Sequence, residues 1–172
     1  TAIADARGNT WTFTYDGQHR LLTDTDRRGV TVLTNTYGAD GRIASQADAN
    51  GQLTTFTYTP LAGSRLRVVV TPPSGNAVTQ VYGPNGQLLR VTDGEGHTAS
   101  FGWDATGSLA AATDKLGKTL HFSSDAQGRL TSVTDRLGAT TTISYTGSGL
   151  PGGITTVNGT TGLTYFATGN VR

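Results

Sequence analysis

The chain has 172 residues, a net charge of +1, 24 Gly and 32 Thr, but no Cys, no Met, one Glu (Glu95) and two Lys (Lys115, Lys118). Strong helix formers are scarce while Thr and Gly, which suit strands and turns, make up about a third of the chain, so a helical protein is excluded. With no Cys there is no disulfide, thiolate nucleophile or Cys-based zinc site, and the near-neutral charge gives no electrostatic reason to expect nucleic acid or an anionic membrane as partner.

A period runs from end to end. Gly8, Gly29, Gly51, Gly75, Gly96, Gly117 and Gly138 form one column at intervals of 21, 22, 24, 21, 21 and 21 residues. A second column, His19, Gly41, Gly63, Gly86, Gly107, Gly128, Gly149 and Gly169, falls 11 or 12 residues after each Gly of the first, with Gly169 opening a partial last unit. A turn is therefore predicted about every 11 residues. In the first unit Trp11, Phe13 and Tyr15 alternate with Thr10, Thr12 and Thr14, the period-two pattern of a strand. Later units repeat its last aromatic as Tyr37, Tyr58, Tyr82, Trp103, Tyr145 and Tyr165, broken once by Ser124.

After the second column stands a branched aliphatic (Leu21, Ile43, Leu88, Leu109, Leu130), and three residues further an aliphatic, branched or not (Val91, Ala112, Val133), of opposite parity. The strand there must be short, bulged or buried on both faces. Asp26, Asp48, Asp93, Asp114 and Asp135 each precede a first-column Gly by three residues, a D-x-x-G turn in which Asp caps and Gly takes positive φ. The third unit departs from the pattern, with Pro60 expected inside a turn and Pro72, Pro73 where an Asp should stand. Residues 147–162 are rich enough in Gly to suggest a poorly ordered stretch. The expectation is an all-β chain of about sixteen short strands without helices, and a single array over 1–172 with no second domain.

The segment Asp104, Ala105, Thr106, Gly107, Ser108, Leu109, preceded by Trp103 and closed by Thr113, Asp114 and Gly117, resembles the Rhs or YD-repeat family, as do Tyr15 and Asp16 with Leu21 and Asp24 or Asp26. The resemblance spans seven full units and one partial. The Asp after the aromatic is kept in Asp16, Asp104 and Asp125 and replaced by Gly38, Thr59, Gly83, Thr146 and Phe166 elsewhere. The resemblance implies tandem antiparallel hairpins of about 21 residues in a curved or spiralling ribbon, part of a hollow shell. It further implies a non-catalytic structural segment of a secreted or cell-surface bacterial polymorphic toxin, whose partners are the rest of the parent shell and an enclosed C-terminal toxin domain. Similar shells occur in teneurins and insecticidal toxin complexes. A surface adhesion or carbohydrate-binding module built on the same repeat is the alternative.

Sixteen strands at about 4.8 Å would close into a ring only about 25 Å across, and a toxin domain of about 130 residues is about 36 Å wide. This length cannot enclose such a cargo alone. The chain begins at Thr1 without Met, as a piece of a longer protein would, and holds no apolar run near the roughly 20 residues of a membrane helix. No membrane insertion is expected, whereas strand edges left without their neighbours would favour self-association.

Residues that could carry chemistry are few. His19, His97 and His121 fall in different repeats, and no G-x-S-x-G elbow accompanies them. Asp24, Thr25, Asp26, Arg27, Arg28, Gly29 imitates the opening of a calcium loop, and Gln46, Asp48, Asn50, Gly51 does so more faintly. Arg28 stands where an oxygen ligand is wanted, and neither loop has the closing Glu, since Glu95 is the only one. These Asp are expected to form turns. A regular Asp ladder singles out no acid and base pair for a glycosidase. The aromatic column could stack on sugars, but stacked equivalent aromatics are also how repeats bury area against each other. No catalytic, cofactor-binding or metal-binding residue is assigned.

Overall fold

The computed structural model describes residues 1–166 and 169–171. Its elements are all strands: β1 (Ala2–Ala4), β2 (Thr10–Tyr15), β3 (Leu21–Thr25), β4 (Thr31–Tyr37), β5 (Ile43–Asp48), β6 (Leu53–Leu61), β7 (Arg65–Thr71), β8 (Val78–Tyr82), β9 (Leu88–Thr92), β10 (Thr98–Trp103), β11 (Leu109–Thr113), β12 (Thr119–Ser124), β13 (Leu130–Thr134), β14 (Thr140–Tyr145), β15 (Pro151–Thr156) and β16 (Gly159–Gly162). Two compact units result, one of Thr1–Pro84 with Thr92–Gly96, the other of Asn85–Val91 with His97–Arg172. Within each, neighbouring strands follow chain order, and the pairs registered in detail are antiparallel.

Both Gly columns are explained by the backbone. Every Gly of the two columns has positive φ, and the one non-Gly member, His19, takes the same left-handed conformation at φ 62°. Only Gly enters that region without steric cost, which is why the period is written in glycine.

In the first unit, Tyr15 pairs with Leu21 but Thr14 pairs with Thr23, so Leu22 is an extra residue on β3. Ala44 on β5 is extra in the same way. In the second unit Ala110, Thr131 and Gly152 repeat the offset on β11, β13 and β15. This bulge settles the parity conflict: Leu109 lies opposite Trp103 and Ala112 opposite Phe101, so the two share a face although three residues apart. The β6–β7 pair, whose unit is one residue longer, runs without a shift from Thr55↔Thr71 to Leu61↔Arg65.

The face opposite the aromatics is stitched by hydroxyls across strands, as in Thr14–Thr23 at 2.6 Å and Thr36–Ser45 at 2.6 Å in the first unit and Thr134–Thr140 at 2.8 Å in the second. Among the described residues Val68, 8% exposed, is the one deeply buried apolar side chain. The aromatic face is half-covered: Phe101 and Trp103 are both partly exposed.

Two expectations are corrected. Pro60 lies within β6, opposite Leu66, and the turn falls beyond it at residues 62–64. The β5–β6 ladder stops at Ser45↔Thr55, leaving one flank of β6 without a ladder where a residue lacking N–H fits. Residues 147–162 are not loose. Four pairs join β15 and β16, with Thr155 and Thr160 hydroxyls 2.8 Å apart, so backbone pairing overrides the low strand propensity of Gly.

Candidate functional site

The recurrent construction is the hairpin turn and the side chains that close it. In the turn from Asp104 to Ser108, the Gly107 N–H donates to the Asp104 carbonyl at 3.1 Å and the Asp104 N–H to the Ser108 carbonyl at 2.9 Å. The Asp104 carboxylate then accepts the N–H groups of Thr106 and Ser108, both at 2.9 Å. Asp16, Asp26, Asp48, Asp114, Asp125 and Asp135 repeat this double acceptance. Asp thus caps turns of both columns. Where it is missing the backbone bonds persist: Gly38 leaves part of the task to Asp40, which accepts from Arg42, and at Thr146 the hydroxyl accepts the N–H of Leu150.

Donors aimed at a carboxylate favour its charged form. The Arg20 N–H holds the Asp16 carboxyl below the usual range, the Thr106 hydroxyl does so for Asp104, the Lys118 N–H for Asp114 and the Arg129 guanidinium for Asp125. For Asp26 burial pushes upward as the largest single influence, but the Val30 N–H and the Arg28 donors together outweigh it.

The aromatic column adds a link between successive turns. Trp103 Nε1 donates to the Leu88 carbonyl at 2.8 Å, and the hydroxyls of Tyr37, Tyr145 and Tyr165 donate to the carbonyls of Leu21, Leu130 and Pro151 at 2.8, 2.7 and 2.7 Å. Each acceptor sits two residues past the preceding second-column position. Arg20 lies 4.5 Å over the Tyr37 ring and Arg129 4.4 Å over Tyr145, while each also pairs with the capping Asp of its own turn. Arg42 over Tyr58 is looser, at 5.2 Å. Asp, Arg and aromatic therefore form a clamp from one turn to the next. Sequence reading missed it, although an Arg just past the second column and an aromatic 16 or 17 residues later was the available signal.

The individually considered residues do not converge. His19 holds a turn, His97 follows the turn closed by Gly96, and His121 lies in β12 opposite Ala111 and Thr134. Asp26 and Asp48 are committed to backbone donors, and Asp26 also to Arg28 at 2.7 Å. Asp24 lies apart from both, in β3 opposite Phe13. There Asn35 accepts from Gln46 and donates to the Leu21 carbonyl, a polar stretch in a row that carries Phe in other repeats. Among the described residues no group of three or more His, Asp or Glu is placed to hold a metal ion.

A family model described as RHS Repeat matches residues 1–31, 82–119 and 125–161. No curated protein matches the chain. Among solved structures it is similar to a chain of the crystal structure of TcdB2-TccC3 without its hypervariable C-terminal region, with TM-score 0.64 and 15% identity over 99% of this chain. A chain of TcdB2-TccC3-Cdc42 is similar at TM-score 0.54 and 15% identity over 95%. The sequence spans only 11% and 12% of those two chains. At this identity the likeness is one of fold, an all-β array of antiparallel hairpins.

Proposed function

The chain belongs to the RHS repeat family, and on that footing we propose that residues 1–172 are one continuous array forming a non-catalytic, structural segment of an Rhs-type shell. The complete shell encloses a C-terminal toxin domain in a secreted bacterial polymorphic toxin. The observation that carries this reading is how the reactive side chains are spent. The Asp carboxylates of the turns each spend one oxygen on two backbone N–H groups, and Tyr and Trp donors reach the carbonyl of a preceding turn. Such commitments stiffen a wall and leave little for chemistry.

Containment needs more ribbon than this length supplies, so the partners are the remaining hairpins of the parent and the cargo they surround. Limited proteolysis of the full parent chain tests the reading. The C-terminal domain should resist protease while the shell is folded and be digested once it is denatured. Digestion at the rate of the isolated domain would refute enclosure, and glycan binding lost on Trp103→Ala with folding intact would replace it with adhesion.

A further inference from the structure

Three Asn–Gly pairs stand in hairpin turns, Asn50–Gly51, Asn85–Gly86 and Asn158–Gly159, and all six residues are exposed. An Asn followed by Gly is chemically labile, because with no Cβ to obstruct it the Gly nitrogen can attack the Asn Cγ. The turns differ in what holds that nitrogen. The Gly51 N–H donates to the Asp48 carbonyl at 3.0 Å, and Asp48 Oδ1 accepts from the N–H groups of Asn50 and Gln52 at 2.8 and 2.9 Å. Attack there would break those bonds, and the neighbouring carboxylate opposes both loss of the Gly51 amide proton and the anionic tetrahedral intermediate.

At Asn158–Gly159 the cap position holds Thr156, a neutral hydroxyl that accepts the Asn158 N–H at 3.2 Å. Gly159 has φ 127°, apart from the 73° to 89° of the other positive-φ glycines, so this turn is built differently. Residues 154–162 are exposed throughout, and opening the paired β15–β16 hairpin therefore uncovers little buried surface. Asn85–Gly86 also lacks a carboxylate cap, Gly83 standing in that place, but Pro84 fixes its turn and β8 is partly buried along its whole length.

We propose that Asn158 is a site of spontaneous deamidation, converted to aspartate and isoaspartate at a rate set by the residue in the cap position. The Gly159 nitrogen, its proton passing to solvent, bonds to Asn158 Cγ. The bond from Cγ to Nδ2 then breaks, ammonia leaves, and water opens the resulting succinimide at either carbonyl. Amide and water become carboxylate and ammonium, with no oxidation or reduction. The product places a negative charge in an uncharged turn and cancels the net charge of +1, while the isoaspartate route adds a backbone carbon between β15 and β16. The site does not depend on the shell reading, since it is built within one hairpin.

Peptide mapping by mass spectrometry of the folded chain, aged in mildly alkaline buffer, tests it. Asn158 should convert about tenfold faster than Asn50, a ratio of the size that a missing cap and its bonds produce. In denaturant, where no turn is held, the two should react at similar rates. Thr156→Asp, at an exposed turn position, should slow Asn158 toward the rate of Asn50, and Asp48→Ala should speed Asn50, with circular dichroism confirming that each variant folds. Equal rates at Asn50 and Asn158 in the folded chain, a difference that persists in denaturant, or an unchanged Asn158 rate in folded Thr156→Asp would overturn the proposal.

Discussion

The hydroxyl of Tyr145 donates to the Leu130 carbonyl at 2.7 Å, at the point where the β13–β14 ladder has ended. The ladder runs from Thr134↔Thr140 to Ser132↔Thr142, after which the strands part toward different turns. The phenol closes that opening, and Arg129 stacked on its ring brings in the Asp125 turn. Tyr145→Phe should keep the ring and lose the bond, costing about 1 kcal/mol in chemical denaturation. Tyr15→Phe supplies the contrast, since Tyr15 is 45% exposed, and its loss should be close to zero. Equal losses at the two positions would show that the hydroxyl contact does not stabilise the array.

Truncating an aromatic should weaken an interface without unfolding the chain. A fully buried aromatic cut to Ala costs about 3 to 5 kcal/mol, but Phe101 and Trp103 are partly exposed. A loss of about 1 to 3 kcal/mol in thermal melts is expected for Trp103→Ala, roughly scaled to its burial and including the bond to Leu88. A loss within the range of fully buried aromatics would mean that this face is covered, for example by self-association.

His19 occupies a position that is otherwise Gly, at φ 62°. His19→Gly should therefore stabilise by about 0.5 to 1 kcal/mol, the relieved left-handed strain exceeding the entropy that Gly adds to the unfolded chain. Gly117→Ala should do the reverse, because a Cβ there meets nothing within 4 Å and the cost is purely one of backbone conformation at φ 77°. Paired melting curves check both signs.

Much of this was legible beforehand, and the reason is locality. Positive φ at Gly107 and capping by Asp114 are decided within five residues, so columns and turns can be read from spacing. The Ala110 bulge was only one of three options, since Leu109 and Ala112 are three apart whichever way the strand resolves them. Pro60 was misplaced because its neighbour strand ends early, a fact of β5 and not of the local sequence. The clamp joins Arg20 to Tyr37 across two turns, and Asn35 and Gln46 come opposite each other only once β4 and β5 pair.

Acid should weaken the fold through the turn carboxylates. Asp16, Asp104, Asp114 and Asp125 have folded pKa values below their unfolded value of about 3.9. Their contribution is present in full above that value and is lost as pH falls through the lower folded values. Denaturation midpoints should be flat near neutrality and drop below about pH 4. Asp125→Asn keeps an acceptor for the turn but removes the charge facing Arg129, so it should flatten part of that drop. An unchanged acid limb in this variant would assign the titration elsewhere.

The most direct measurement is electron cryomicroscopy of the full parent chain. Consecutive hairpins of residues 1–172, joined by the Tyr37, Trp103 and Tyr145 bonds, should form part of a closed wall with density for a C-terminal domain inside. An open ribbon at the particle surface, with no enclosed density and no neighbouring hairpins along its edges, would contradict a role in containment.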